Sequence, residues 1–337
     1  MNYLIQFIKI VISGCLSVLI LSIINIPYFY TGIHITNKTG ATDYAWESGQ
    51  LRTNMTEGYA WLTMDRYGFN NTEENAEKAI QNGVDILLMG SSHMEAVEVA
   101  QNQNLGYLLN ENISGENTYN IGISGHDIYR VIDNISDAIK TYEPRDYVII
   151  ETYDIELEQE KMEEVIEGRA KKIPSYDSGI VYQLQKIPAI KWIYKSLDEW
   201  ASQSRNIFEK ATTDFSNANE KIPDCYKETL NEFLRKIVLA CEETDCIPVI
   251  FYHQQAEIQT HGTIYLDTDE RYLKKKKKVC DENDILFVDM TEDILKNYDK
   301  EHILPHGFIN TYVGNGHMNA YGHRIVANKL LEVLYAE

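Results

Sequence analysis

The stretch VDILLMGSSH, residues 84–93, decides the fold of this chain. It begins with a short apolar run, which is typical of a strand buried on both faces of a parallel sheet. The run ends at Gly90, and Ser91, Ser92 and His93 follow where the chain would turn into a helix. Open α/β sheets bind their ligands beyond the carboxyl ends of the strands. The stretch therefore predicts an α/β fold with a candidate active site at this turn.

The rest of the chain repeats the alternation of strand and helix that a parallel sheet requires. Predicted strands, each short and apolar, occupy residues 84–89, 117–121, 146–151, 247–252 and 285–289. Predicted helices occupy residues 94–111, 127–142, 224–243, 268–283 and 320–335. Together they predict a three-layer α/β/α domain with a central, mostly parallel five-stranded sheet.

The N-terminal segment predicts a membrane anchor. Residues 10–30 contain no charged side chain and are long enough to cross a bilayer core as a helix. Lys9 and the N-terminal amine favour a cytoplasmic tail at residues 1–9, which would place the following domain outside the cell. A cleaved signal peptide is the alternative interpretation.

Three further segments complete the predicted domain organisation. Residues 31–71 are rich in Thr, Gly, Asn and Tyr without a sustained period, so they predict an extracellular stalk that packs on the domain. The main domain is predicted to span residues 72–337. Within it, residues 155–222 interrupt the rhythm of strands and helices and predict a helical insertion.

Composition excludes several classes of function. The formal net charge of −20 argues against a nucleic-acid partner, because phosphate binding depends on Lys and Arg. The five cysteines show no metal-type spacing. His302 and His306 have the spacing of zinc-peptidase ligands on a helix, but Pro305 between them breaks any such helix. We therefore expect neither a metal nor another cofactor.

Ser92 and His317 are the candidate nucleophile and base. A serine hydroxyl is a poor nucleophile, and it needs a base within hydrogen-bond reach and donors for the developing oxyanion. His317 lies just before the last predicted helix, so a Ser-His dyad is expected. The second histidine nitrogen needs an acceptor that fixes its tautomer, and the candidates are Asn315, Asp289 or a backbone carbonyl.

These blocks resemble the SGNH, or GDSL-like, hydrolase superfamily, with Gly90-Ser91-Ser92 in place of Gly-Asp-Ser. The resemblance implies a flavodoxin-like fold with Ser92 as nucleophile and the Ser92 N–H in the oxyanion hole. It also implies that Gly125, in the stretch NIGISG, contributes its N–H to the hole. The superfamily adds an asparagine donor after the third strand. This chain has ETYD there, residues 151–154, so Thr152 or Tyr153 would have to replace it.

The last block of the superfamily reads Asp-x-x-His, and here it is Gly314-Asn315-Gly316-His317. His317 fits, but the aspartate is missing. An N-terminal anchor before an external domain is similar to the acyltransferase-associated branch of the superfamily, whose members work beside a membrane-bound O-acyltransferase.

The resemblance therefore implies a single-pass cell-membrane protein with an extracellular serine esterase or O-acyltransferase domain. Its expected substrate is an acyl ester, above all acetyl, on a cell-surface glycan or wall polymer. The alternative is a glycan-binding or scaffold protein that kept the fold while its catalytic blocks decayed.

Overall fold

The structure of this chain is a computed structural model. It describes residues 2–29, 34–37, 39–54, 57–170, 222–259, 262–266, 268–311 and 313–335, with residues 184, 187, 189, 190 and 193 in addition.

The described strands are β1 (His34–Thr36), β2 (Tyr44–Trp46), β3 (Leu51–Asn54), β4 (Ala60–Thr63), β5 (Ile86–Met89), β6 (Thr118–Asn120), β7 (Tyr147–Thr152), β8 (Ile247–Tyr252), β9 (Ala256–Ile258), β10 (Ile264–Leu266) and β11 (Leu286–Asp289). The described α-helices are α1 (Asn2–Phe29), α2 (Glu73–Asn82), α3 (Ser92–Glu95), α4 (Leu105–Asn112), α5 (Ile128–Tyr142), α6 (Gln159–Ile166), α7 (Asp224–Cys241), α8 (Glu270–Glu282), α9 (Thr291–Glu301) and α10 (Ala320–Leu334).

Five strands form the central sheet, in the order β6-β5-β7-β8-β11, and every neighbouring pair is parallel. The predicted fold class is confirmed. Side chains alternate between the two faces, so that Leu87 enters one apolar core while Ile86 and Leu88 enter the other. All three side chains are fully buried. This explains why the first strand is a continuous apolar run.

The strand order determines where a ligand can bind. The first strand, β5, lies between the second and the third, so the connections leave it in opposite directions and open a crevice beyond the carboxyl ends of β5 and β7. Ser92 lies three residues after the end of β5, and Tyr153 directly follows β7. The topology therefore brings these two segments to the same end of the sheet.

The predicted helix 94–111 is interrupted. Helix α3 ends after one turn, because Ala96 adopts a left-handed backbone conformation with φ 57°. The chain then passes through a short 3₁₀ turn, and α4 begins at Leu105, where the Asn104 side chain caps it by accepting a hydrogen bond from Tyr107 N. The break leaves Glu98 buried in the loop between the two helices.

The segment predicted as a stalk contains regular structure. Strands β1 and β2 form one antiparallel pair, and β3 and β4 form another. Trp46 is buried, and the Arg52 guanidinium lies 3.9 Å from the centre of its ring. Tyr44 Oη donates a hydrogen bond to Ser124 O in the loop after β6, at 2.5 Å. The strand pairs are thus packed into the same core as the sheet.

Helix α1 begins at residue 2, so most of the predicted tail 1–9 is part of the helix. Its segment Tyr3–Ile24 is long and apolar enough to cross a membrane, judged by length and composition.

Other differences concern local elements. Most of the predicted insertion, residues 171–221, lies outside the described residues apart from the five single positions given above. Helix α9 and the antiparallel pair β9–β10 were not predicted. In the lysine run 274–278, Lys276 is fully buried and its ammonium group donates to Asp154 O. Burial lowers the pKa of Lys276 to about 8.

Candidate active site

The turn that carries Ser92 is held by a buried glutamate. Glu151 at the end of β7 accepts hydrogen bonds from Ser91 N at 2.8 Å and from Ser91 Oγ at 2.7 Å. Ser91 Oγ in turn accepts the N–H of His93 at 3.2 Å, so Ser91 caps α3. A Cβ on Gly90 would lie 2.7 Å from both Glu151 Cβ and Oε2. Only glycine fits there, and Ser92 is fixed by the strand, the cap and the glutamate.

Ser92, His317 and Glu57 form a continuous hydrogen-bonded series. His317 Nε2 is 2.9 Å from Ser92 Oγ, and His317 Nδ1 is 2.6 Å from Glu57 Oε2. Glu57 Oε1 also accepts the backbone N–H of His317 at 2.7 Å. The carboxylate therefore holds both the ring and the backbone of the histidine. This arrangement of acid, imidazole and hydroxyl is that of a Ser-His-acid triad.

Glu57 is supplied by the N-terminal segment, between β3 and β4. Gly58 N donates to Asn310 Oδ1 at 3.0 Å, and Asn310 Nδ2 donates to Gly58 O at 3.0 Å. Asn310 lies in the loop that leads to His317, so this reciprocal pair holds the acid and the histidine side by side. The sequence carries no motif for Glu57, and the residue is missing from the expected site.

The expected partners of His317 Nδ1 are not found beside it. Asp289 accepts hydrogen bonds from Thr291 N at 2.9 Å and Thr291 Oγ1 at 2.5 Å, so it is occupied at the start of α9. Asn315 makes no hydrogen bond with His317 in the described part of the chain. The expectation of Asn315 or Asp289 as orienting residue is corrected to Glu57, because its carboxylate occupies the position 2.6 Å from Nδ1.

The paired charges shift the pKa values of both partners. Burial alone would raise the pKa of Glu57, but its hydrogen bonds to His317 and the charge of His317 outweigh burial and lower it. Burial alone would lower the pKa of His317, but the hydrogen bond to Glu57 and the charges of Glu98 and Glu57 raise it to about 9. The imidazolium form of His317 is therefore strongly stabilised, as a base that must hold a proton in the transition state requires.

Two backbone N–H groups that the resemblance assigns to the oxyanion hole are without an acceptor in the described part of the chain. Within the described residues neither Ser92 N nor Gly125 N has an acceptor. Gly125 is exposed, with φ +89°, and a Cβ there would lie 2.8 Å from Tyr44 Oη. Glycine is required at this position both by the backbone conformation and by the close approach of Tyr44.

The two side chains expected to replace the missing asparagine differ in their surroundings. Thr152 is buried, and its hydroxyl is engaged in a local turn with the backbone of Asp154, at 3.2 and 3.3 Å. Tyr153 is 44% exposed, and its ring centre lies 5.3 Å from that of His93. The hydroxyl of Thr152 is therefore already hydrogen-bonded and is not free to act as the expected donor, whereas the ring of Tyr153 packs beside His93.

Two more glutamates lie beneath the triad. Glu95 is fully buried, and it accepts hydrogen bonds from Arg52 at 3.1 Å, from Ser124 N at 2.9 Å and from Trp46 Nε1. Glu98 Oε1 lies 3.8 Å from His317 Nδ1 and accepts from Asn54 Nδ2 at 3.1 Å. Burial raises the pKa of Glu98 to about 7. The N-terminal strands therefore contribute to the site through several contacts besides Glu57.

His93, His253 and His306 form a buried cluster whose donor atoms lie within 4.8 Å of one another. His253 Nε2 is 2.9 Å from Glu151 Oε1, and His253 Nδ1 is 2.9 Å from His306 Nε2. The ring planes of His253 and His306 are inclined by 15°, with centroids 5.0 Å apart, and the facing nitrogens are at hydrogen-bond distance. That geometry is a hydrogen bond between imidazoles, whereas two ligands of one ion converge on it at an angle. The cluster is therefore a hydrogen-bonded extension of Glu151.

Comparisons with known proteins give only distant similarity. No protein-family model matches the sequence, and no curated protein matches it. Among solved structures, a lipolytic protein of the G-D-S-L family from Veillonella parvula aligns at 13% identity and TM-score 0.41, over 76% of this chain and 100% of that protein. An acetyl xylan esterase aligns at 15% identity and TM-score 0.41, over 74% and 98% of the two chains. A GDSL-like lipase from Bacteroides thetaiotaomicron aligns at 10% identity and TM-score 0.37, over 78% and 94%. At these identities the likeness concerns the fold alone.

Proposed function

We propose that this chain is a serine-dependent ester hydrolase or O-acyltransferase of the SGNH type. The observation that carries the proposal is the series of contacts from Ser92 Oγ through His317 to Glu57, at 2.9 and 2.6 Å. His317 Nδ1 donates to Glu57, so Nε2 of the neutral ring presents its lone pair to the serine hydroxyl. The serine is thereby placed next to a base in the correct tautomer.

In the proposed reaction, Ser92 Oγ attacks the carbonyl carbon of an ester as its proton passes to His317 Nε2. The carbonyl oxygen becomes an oxyanion, which the N–H groups of Ser92 and Gly125 stabilise. When the intermediate collapses, the alcohol leaves with the proton from His317 and the acyl group remains on Ser92. Water then gives hydrolysis, whereas a sugar hydroxyl gives transfer, and either acceptor returns its proton through His317.

We also propose an acylated glycan or wall polymer as the substrate. Tyr59 and Trp61 follow Glu57 closely in the chain and are 64% and 53% exposed. Exposed aromatic rings suit the apolar faces of sugar rings, and these two lie close in the chain to the acid of the proposed triad.

The location that we propose is the outer face of a cell membrane, with α1 as the anchor. The supporting observation is the apolar segment Tyr3–Ile24. Only four residues, 30–33, separate the end of α1 from the start of β1, and they span at most about 14 Å. The domain would thus work close to the bilayer, where an O-acyltransferase in the membrane could exchange acyl groups with it.

A fluorophosphonate probe tests the nucleophile directly. We expect the wild-type chain and the matched control Ser114→Ala, altered in an exposed turn, to be labelled, and Ser92→Ala to remain unlabelled. Circular dichroism and thermal unfolding establish that each variant is folded. Folded wild-type protein without any label would reject the enzyme and favour the glycan-binding or scaffold alternative.

A second assay separates hydrolysis from transfer. Unlabelled wild-type protein and Ser92→Ala are each given p-nitrophenyl acetate with and without an oligosaccharide acceptor, and the products are analysed by mass spectrometry. Acetylated oligosaccharide that depends on Ser92 indicates a transferase, and acetate alone indicates an esterase.

A further inference from the structure

His93, the residue after Ser92, has a fixed and neutral imidazole. Met318 N donates a hydrogen bond to His93 Nδ1 at 3.1 Å, so Nδ1 holds a lone pair and Nε2 holds the proton. His93 is 7% exposed, and burial, reinforced by the charges of neighbouring histidines, moves its pKa well below the ordinary value. Because Met318 follows His317 directly, the segment that carries the base also sets the tautomer of His93.

The Nε2–H of His93 is a donor without an acceptor. Within the described residues it makes no hydrogen bond, and it keeps some contact with solvent. The ring lies between His317 and Tyr153, with centroid distances of 5.3 Å to each. Both of those neighbours are partly exposed, and His317 is the residue whose Nε2 lies 2.9 Å from Ser92 Oγ, so His93 packs directly against the proposed base.

The loop after β7, next to His93, lacks the hydrogen-bond donor that the SGNH pattern supplies there to the oxyanion hole. Tyr153 stands on the loop after β7, where the SGNH pattern would have its asparagine, and the hydroxyl of Thr152 is occupied by Asp154. Loss of one donor from an oxyanion hole lowers kcat by about 10²- to 10³-fold. A substitute donor next to Tyr153 would restore that stabilisation.

We propose that the Nε2–H of His93 donates a hydrogen bond to the acyl oxygen of the substrate and is the third donor of the oxyanion hole. The inference rests on the proposed function, since it needs Ser92 to attack an ester. His93 keeps its proton throughout. The proton of Ser92 goes to His317, the electron pair of the carbonyl π bond goes to the oxygen, and the three donors hold that oxygen until the alcohol leaves.

The packing around His93 is suited to a donor that must not move. The ring of His253 meets it edge to face at a centroid distance of 4.7 Å, and the ring of His306 does so at 5.6 Å. Both ring nitrogens of His253 are already hydrogen-bonded, Nδ1 to His306 Nε2 and Nε2 to Glu151, so His253 does not compete for the Nε2–H of His93. A donor held in advance needs no reorganisation as charge develops, and this is the source of its catalytic effect.

The test compares His93→Phe, which keeps a ring but removes the donor, with His93→Gln, which keeps an N–H donor. Tyr153→Phe removes the hydroxyl that the sequence analysis considered as a replacement for the missing asparagine donor. The readouts are kcat and KM for p-nitrophenyl acetate, the rate of fluorophosphonate labelling, and inhibition by phenylboronic acid, whose tetrahedral adduct places an oxygen in the hole.

We expect His93→Phe to lower kcat and the labelling rate by about 10²-fold or more, with KM nearly unchanged. Boronate affinity should fall in parallel, His93→Gln should recover at least a tenth of the activity, and Tyr153→Phe should lose little. The pH profile of kcat/KM should keep its shape, because a neutral donor does not titrate. If His93→Phe does not fold, His93→Leu takes its place.

Two results would overturn the inference. One is a folded His93→Phe enzyme with labelling and kcat within threefold of wild type. The other is a loss that appears wholly in KM or that His93→Gln does not relieve, since that identifies a structural role. Failure of the proposed function is distinguishable, because the wild-type protein would then show neither labelling nor turnover.

Discussion

Replacing Glu57 by glutamine should break the triad while hardly altering its volume. The carboxylate accepts two hydrogen bonds, one from His317 N and one from His317 Nδ1. A glutamine has one acceptor oxygen and one donor group, so it cannot serve both. If its oxygen takes the backbone N–H, its amide faces Nδ1 and drives the ring proton to Nε2, where it blocks proton transfer from Ser92.

The expected loss follows from that wrong tautomer. In serine proteases, the corresponding change from acid to amide lowers kcat about 10⁴-fold. Glu98 remains 3.8 Å from Nδ1 and can partly replace the lost charge, so we expect a fall in kcat/KM of about 10²- to 10⁴-fold. This corresponds to about 3 to 5.5 kcal/mol of transition-state stabilisation. Glu57→Asp, which keeps the charge but is shorter, should lose less.

The same substitution should move the pH profile. The pKa of His317 is raised to about 9 from an ordinary value of 6.5, and the base is active only when neutral. Wild-type kcat/KM should therefore climb with pH up to about 9. Without the Glu57 charge the imidazolium is less stable, the pKa of His317 falls, and the rising limb moves toward lower pH.

The assay is hydrolysis of p-nitrophenyl acetate from pH 6 to pH 10, with the uncatalysed rate subtracted and active sites counted by fluorophosphonate. Glu57→Gln activity within threefold of wild type, or a rising limb that stays in place, would refute the assignment of Glu57. Thermal unfolding of both variants separates a loss of chemistry from a loss of folding.

Three further predictions concern stability. Glu151→Gln replaces a buried carboxylate whose hydrogen-bond partners are all donors. It should lower the free energy of unfolding, measured with urea at pH 7, by about 3 kcal/mol. The pKa of Glu151 is lowered to about 2 by the His253 hydrogen bond despite burial, so its stabilisation is complete above about 4.5, the ordinary value, and is lost as pH falls from there toward 2. The difference in unfolding free energy between wild type and Glu151→Gln should therefore shrink as pH falls, and the same difference at pH 3 as at pH 7 would contradict this. Gly90→Ala should lower the free energy of unfolding by about 1 to 3 kcal/mol and remove much of the activity. Gly115→Ala meets no atom within 4 Å but strains a backbone with φ +92°, so it should lose stability and spare activity; equal kinetics for the two would be inconsistent with the crowding at Gly90. Thr72→Ala removes the cap of α2 and should cost about 1 kcal/mol in thermal unfolding without any change in kcat, and an unchanged melting temperature would count against the cap.

The strands were predictable because their signal is local. Each of the five apolar runs lies in the central sheet within two residues of its expected bounds, since burial on both faces leaves a continuous apolar pattern. Ser92 and His317 were expected together for a related reason, as each occupies a short motif at the end of an element. The structure places Ser92 Oγ and His317 Nε2 2.9 Å apart.

The parts that were not predicted depend on contacts distant in sequence or on backbone geometry. Glu57 lies 260 positions from His317 in a stretch without periodicity, and nothing in its neighbours marks it as an acid of the site. The break after α3 depends on a left-handed Ala96, a residue type that gives no turn signal. Histidine spacing along the chain likewise could not reveal the cluster of His93, His253 and His306, which come from α3 and from two loops far apart in the chain.

The reciprocal amide pair between Gly58 and Asn310 has a practical consequence for anyone who shortens this protein. A version started at Thr72, the apparent beginning of the main domain, would retain every strand of the central sheet and both residues of the dyad, yet it would lack the carboxylate on His317 Nδ1. Such a fragment would resemble a naturally decayed enzyme and could be mistaken for one. Adding back a peptide that covers residues 34–71 would distinguish the two cases, because only a truncated enzyme would regain activity.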